Sequence, residues 1–217
     1  MADKSLVKLC RSLFLSRFSS INAKSVRYFT RYLSSTAKNL NEENRICFIT
    51  DGCSTEELEM VQDFVVGNLE VCEHFISEEE ETLLLKEIEP YLKRQKYQYD
   101  HWDNFENLVL DQDDNFYLIS LSLLIRWYIK PHVDSIKFCG AIISGVSLLS
   151  PSVMRFKHEK LGNVKVDALL QPRSLYIIRD AVRYEFTHEI LKEEESVWKG
   201  KTVLRDRRVS LVLRCQP

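Results

Sequence analysis

The first chemical signal in this sequence is carried by His132 and Asp134, in the stretch YIKPHVDSIKFCG from 128 to 140. On an extended chain, positions i and i+2 point to the same side, so an imidazole and a carboxylate at this spacing can grip one small object. Pro131, just before the histidine, restricts the backbone in the same sense. An H-x-D pair is weak by itself, because an ordinary histidine bonded to a nearby aspartate reads the same way. A third group is needed, and FTHEIL supplies His188, flanked by apolar residues as a late sandwich strand would be.

Further along, RDRRVSLVLRC puts Arg208, Ser210 and Arg214 at even positions of what reads as a strand, hence on one face. Two guanidiniums directed into a sandwich interior are costly unless they meet anions. The inventory is then two imidazoles and a carboxylate for a divalent metal, and two guanidiniums for a dicarboxylate. Two histidines and one carboxylate that leave three coordination positions open suit a non-haem Fe(II) centre that activates O2. Zinc favours a closed tetrahedral set or one open position, and no fourth protein ligand is evident. An arginine at depth suits the far carboxylate of 2-oxoglutarate, because its planar fork pairs bidentately.

The elements that must gather these residues are strands. Apolar and β-branched runs predict strands near 116–131, 141–149, 153–158, 164–170, 174–179 and 208–215, punctuated by Gly140, Gly145, Pro151, Gly162 to Asn163, and Pro172. Ahead of them, EELEMVQDFVVGNL spaces Leu58, Val61 and Phe64 or Val65 as a helix ending near Gly67. HFISEEEETLLLKEIEPYLKR reads as a second helix, with Ser77 and Glu80 as a capping box and Leu84, Ile88 and Leu92 as an apolar stripe. Its acidic run Glu78 to Glu81 reads as a solvated first turn that complements the helix dipole, and Pro90 is expected to kink or split it. NLVLDQDDN, at 107–115, reads as a turn-rich connector. Helices followed by many short strands predict an α+β fold in which helices buttress an antiparallel sandwich or jelly roll; no helical pattern separates the strands after residue 130, which disfavours a doubly wound sheet.

Charge divides the chain in two. Residues 1–40 hold eight Lys or Arg against the single acid Asp3, leaving 22 basic and 31 acidic residues downstream, a balance of −9. The basic segment is serine-rich, and Leu6, Leu9, Leu13 and Phe14 share a helical face with Lys4, Lys8 and Arg11 largely off it. These are the features of a mitochondrial matrix-targeting segment, a basic arm for lipid or nucleic acid being the alternative. No apolar run is long enough to span a bilayer, so stable membrane insertion is not expected. The six cysteines form no C-x-x-C pair, and nothing requires a disulfide framework or a thiolate metal site.

Taken together, YIKPHVDSIKFCGA, SLLSPSVMR, SLYIIRDAVRYEFTHEIL and RRVSLVLR resemble the AlkB family of Fe(II)/2-oxoglutarate dioxygenases, and most closely a mitochondrial member of it. The likeness covers roughly residues 75–103 and 126–217. It implies a double-stranded β-helix (jelly roll) with buttressing N-terminal helices, and three segments: targeting at 1–40, a variable region at 41–70, and a dioxygenase domain at 71–217 with a shortened connector at 104–125. It implies that His132, Asp134 and His188 bind Fe(II), and that Arg208 and Tyr176 hold the C5 carboxylate of 2-oxoglutarate, with Arg214 near its other end. The family's R-x-N reads here as Arg208, Val209, Ser210, so Ser210 stands where asparagine is usual. Tyr176 also reads as a plain core tyrosine. His74, His101 and His158 match no ligand position. Only 28 residues separate HWD at 101–103 from His132, which leaves one wall of the pocket short.

The implied reaction couples oxidative decarboxylation of 2-oxoglutarate by O2 to hydroxylation of a C–H bond. Family resemblance extends to a role in mitochondrial damage response, cell death or lipid metabolism. Nucleic-acid demethylases need a basic track and a base-receiving lid ahead of the iron motif. The acidic body and short connector argue against DNA and favour a protein or other non-nucleic substrate. Two rivals stay open: a mitochondrial tRNA demethylase that uses a patch at Arg205, Arg207 and Arg208, and a catalytically silent jelly-roll interaction protein.

Overall fold

The computed structural model describes residues 45–50, 52–94, 108–110, 117–125, 128–137, 139–161 and 163–214. The basic segment 1–40, the HWD stretch and His101 lie outside them. In chain order the elements are β1 (Ile46–Thr50), α1 (Thr55–Val65), β2 (Leu69–Cys72), α2 (Glu78–Arg94), β3 (Leu108–Leu110), β4 (Tyr117–Ile125), β5 (Ile129–His132), β6 (Ile142–Leu148), β7 (Ser152–His158), β8 (Val164–Leu170), β9 (Ser174–Arg179), α3 (Asp180–Glu185), β10 (Phe186–Ile190), β11 (Val197–Trp198), β12 (Lys201–Thr202) and β13 (Arg207–Arg214).

Every strand pairing is antiparallel. One sheet runs β1-β8-β7-β10-β5, a second runs β2-β9-β6-β13-β4-β3, and β11-β12 form a separate hairpin. Alternate residues of the first sheet, Met154, Phe156, Val164, Val166, Ala168 and Leu170, share one apolar core with Tyr176 and Ile178 of the second and with Val61 and Val65 of α1. This is the α+β jelly roll that the pattern of helices and strands predicts.

Several elements depart from the expectation, each for a physical reason. The strand predicted over 116–131 is two strands, because the chain leaves the second sheet after Ile125 and enters the first at Ile129. The connector supplies β3 and β4, and β4 pairs with β13 from Leu118 to Ile125. Within 41–70, read from the sequence as a variable region, β1 joins the first sheet and β2 begins in the second. α2 runs past Pro90 as one element, so the proline does not split it; it withdraws a single i to i−4 donor from a helix of 17 residues. α3 has only six residues, too few to show a 3.6-residue period, and it carries the chain from the second sheet to the first. Gly145, expected as punctuation, lies in the middle of β6.

The Ser77–Glu80 capping box is present, with Glu80 Oε2 accepting from Ser77 N at 2.7 Å and Ser77 Oγ accepting from Glu80 N at 3.2 Å. The acidic first turn is not wholly solvated. Glu81 is buried, accepts a bond from Leu149 N at 2.8 Å and pairs with Arg173 at 3.5 Å. It ties α2 to the turns that follow β6 and precede β9, at one end of the sandwich.

Candidate metal and anion site

His132 is the last residue of β5 and His188 the third of β10, and the two are direct register partners across the strand pair. That pairing, rather than proximity in sequence, brings their ring centroids to 4.3 Å. Asp134 lies just past the strand end, where the i, i+2 relation still holds: its carboxylate is 3.8 Å from His132 Nε2 and 3.9 Å from His188 Nε2. One ligand atom from each residue falls within 4.8 Å of the others, and among the described residues no other trio of His, Cys, Asp or Glu gathers in this way.

The protonation states suit a cation. His132 Nδ1 lies 2.9 Å from the carbonyl oxygen of Lys130, so the ring nitrogen there carries the hydrogen and Nε2 presents its lone pair to Asp134 and His188. Burial, reinforced by the neighbouring His132, pushes His188 down to about 3, so its imidazole is neutral at physiological pH. Burial pushes the Asp134 carboxyl up, but His188, Arg214 and His132 together pull it below its ordinary value. With His188 neutral, the Arg214 guanidinium, 3.5 Å from Asp134, is the permanent part of that pull. Two imidazoles and an ionised carboxylate form a donor set that fits a divalent transition metal.

The other end of the cavity is cationic. β13 directs Arg208, Ser210, Val212 and Arg214 toward the same space as the three ligand residues, a cavity partly open to solvent. Arg208 is 1% exposed and is the largest fully buried side chain among the described residues. Its Nε donates to Ser147 Oγ at 3.0 Å, and its Nη2 finds no hydrogen-bond partner among the described residues. Burial lowers it to about 10, opposed by Tyr176, so it stays cationic at neutral pH. Tyr176 is also buried, which pushes its phenol above the ordinary value against the pull of Arg208 and Ser210. A buried guanidinium with an unfilled donor fits a carboxylate arriving from outside. Ile143, Met154, Ile178 and Val212 line the walls between the two ends.

All seven residues singled out in the sequence line this one cavity. Two others escaped that reading. Ser147 orients Arg208, and its only signal was the even-odd alternation along a strand whose boundaries were known but whose partner was not. Arg183, 2% exposed on α3, donates to the carbonyl oxygens of Ser135, Cys139 and Gly140 and so pins the segment that follows Asp134. A helix too short to recognise hid it. Of the remaining histidines, His74 is exposed. His158 is a packing residue, stacked on Phe64 at 5.3 Å, accepting from Lys160 N and Leu161 N, and facing Glu185. The basic patch that the tRNA alternative would use at Arg205, Arg207 and Arg208 does not form: Arg205 is buried and bonds the Leu191 carbonyl, Arg207 pairs with Glu89 at 2.6 Å, and Arg208 points into the cavity.

No family model matches the chain. Over 168 residues it is 42% identical to the Mus musculus protein named alpha-ketoglutarate-dependent dioxygenase alkB homolog 7, mitochondrial, covering 66% of this chain and 76% of that one. The Bos taurus protein of the same name is 41% identical over the same shares. Among solved structures, a Pseudomonas putida prolyl-4-hydroxylase superposes with a TM-score of 0.42 at 13% identity, covering 77% of this chain and 96% of that one.

Proposed function

The chain belongs to the alkB homolog 7 family of alpha-ketoglutarate-dependent dioxygenases, and on that premise we propose that His132, Asp134 and His188 hold Fe(II) while Arg208, Tyr176 and Ser210 seat the far carboxylate of 2-oxoglutarate. It is a mitochondrial enzyme that uses Fe(II), 2-oxoglutarate and O2. When bound, iron and cosubstrate supply the oxidising chemistry, in which one oxygen atom of O2 enters succinate, the other hydroxylates a C–H bond, and CO2 leaves. The single observation that carries the site assignment is the pairing of a His-Asp-His cluster with a fully buried guanidinium in one cavity.

This chain's own residues perform the preparatory work. Lys130 and Arg183 fix the ligands from behind, the first through the His132 ring and the second through the backbone after Asp134. Such support holds ligand atoms in place before a cation arrives. Arg208, oriented by Ser147, gives the cosubstrate one fixed end, and Arg214 stands beside Asp134 near the other. The apolar walls limit the polar groups that could compete for the reacting atoms.

The substrate is, on this reading, a protein or another molecule other than DNA, met in the mitochondrial matrix. The body downstream of residue 40 has a balance of −9, which repels a phosphate backbone. Of the arginines that could have formed a local track, Arg205 and Arg208 are engaged inside the fold and Arg207 is paired with Glu89.

Anaerobically reconstituted protein, exposed to air with Fe(II), should convert 2-oxoglutarate to succinate without any added substrate. His132→Ala should lower that rate by roughly a hundredfold or more, since removal of an essential catalytic group has effects of that order. Turnover that survives in the variant would remove the metal role of His132. Stimulation by matrix peptides supports the protein reading; formaldehyde release from methylated transfer RNA would replace it with demethylation.

A further inference from the structure

Tyr176 and Arg208 share the cavity, yet they begin two strands apart. Tyr176 is on β9, Arg208 and Ser210 are on β13, and β6 runs between them. The β6 residue in register with Tyr176 is Gly145, and its neighbour on β13 is Val212. A methyl group built on Gly145 would lie 2.6 Å from Cε1 of the Tyr176 ring and closer still to Cζ and the phenol oxygen. The ring therefore lies across the bare backbone of β6, in the volume that any side chain at 145 would need. Gly145 does not adopt a positive φ, so no turn conformation calls for glycine there. A glycine inside a strand gives up packing and ordering free energy, and a close approach by another group is a physical reason to keep one.

We propose that Gly145 is a positioning residue for the cosubstrate's far carboxylate: the missing side chain opens the passage by which Tyr176 crosses β6 to stand beside Ser210 and Arg208. The carboxylate half rests on the 2-oxoglutarate reading above; the steric half does not. With alanine at 145 the ring must leave β6, displaced from its place beside Ser210 and Arg208 into the cavity that Met154 and Ile178 line. The phenol is then lost to the anion even though its own residue is intact.

The test is a double-mutant cycle on the full chain: wild type, Gly145→Ala, Tyr176→Ala and the double variant. Two readouts are taken, the dissociation constant for 2-oxoglutarate with Mn(II) in place of iron, and the thermal midpoint without ligand. Gly145→Ala should weaken 2-oxoglutarate roughly tenfold or more, as loss of a bond to a charged group does, and should lower the midpoint. In the Tyr176→Ala background it should change neither beyond roughly twofold or the scatter of the measurement, because the obstructed ring is gone. Mn(II) affinity should be the same in all four proteins. Equal losses in both backgrounds, or none in the wild-type background, would overturn the proposal. Should Gly145→Ala fail to fold, the double variant must fold; one that does not also overturns it. A wild type that binds no 2-oxoglutarate would sink the cosubstrate reading, and the thermal cycle alone would then decide whether Gly145 makes room for Tyr176.

Discussion

Buried arginines occupy two kinds of place in this fold. In the seams, Arg179 of β9 meets Glu70 of β2, with side chains 8% and 6% exposed, and the half-buried Arg155 of β7 grips Asp167 of β8 through bonds of 2.7 and 2.8 Å. In the cavity, Arg208 has Ser147 and Tyr176 beside it and no carboxylate partner among the described residues. A seam guanidinium is neutralised by the chain itself, and its work ends when the sheets close. The cavity guanidinium carries its desolvation penalty into the folded state, where only an incoming anion relieves it. Between Arg179 and Arg208 the same residue type thus marks structure in one region and a ligand subsite in the other; Arg183 and Arg205, buried and structural as well, spend donors on backbone carbonyls instead.

One substitution, arginine to methionine, should act in opposite ways in the two regions. Arg179→Met leaves Glu70 buried without its cation, and we expect a loss of about 3–5 kcal/mol in the free energy of denaturant unfolding. A loss below about 1 kcal/mol would mean that Glu70 finds another partner and that the seam is not held by the pair. Arg208→Met removes an uncompensated charge and fills the space with apolar atoms. Stability in the absence of ligand should then be unchanged or higher, after allowing about 1 kcal/mol for the partner lost by Ser147 Oγ. Affinity for 2-oxoglutarate, measured by equilibrium dialysis with Mn(II), should instead fall by roughly a hundredfold. If the apo protein were destabilised as strongly as by Arg179→Met, Arg208 would have to be reassigned to the seams.

Both regions could be read from the sequence only in part, and the reason is the range of the signal. The H-x-D spacing and the even positions 208, 210 and 214 are short-range patterns within one strand, and the structure keeps both on the cavity. Strand positions from 141 to 179 are legible because apolar and β-branched runs fill them, although Gly145 reads as punctuation and lies inside β6. Pairing between strands was not legible. Nothing in residues 144–147 announces that Ser147 meets Arg208 or that Tyr176 lies over Gly145, because both contacts depend on which strands become neighbours. The Arg179–Glu70 pair, 109 residues apart in the chain, is hidden in the same way. Burial of Glu81 escaped because an acidic first turn is explained equally well by the helix dipole alone.

Arg207 sharpens the comparison most finely, because it is the immediate neighbour of Arg208 on β13 and has the same side chain. Alternation along the strand turns it away from the cavity to meet Glu89 of α2 at 2.6 Å, with side chains 34% and 29% exposed. Water reaches this pair, so its Coulomb energy is screened and part of it is offset by the ordering of two long side chains. Arg207→Gln should therefore destabilise by less than about 1 kcal/mol, and the effect should shrink as salt is raised. Its 2-oxoglutarate affinity should match that of the wild type within roughly twofold, since no atom of the cavity is removed. A large loss of affinity would mean that α2 transmits its docking to β13 and that the even-odd division of the strand is not enough to separate structural from ligand-binding arginines.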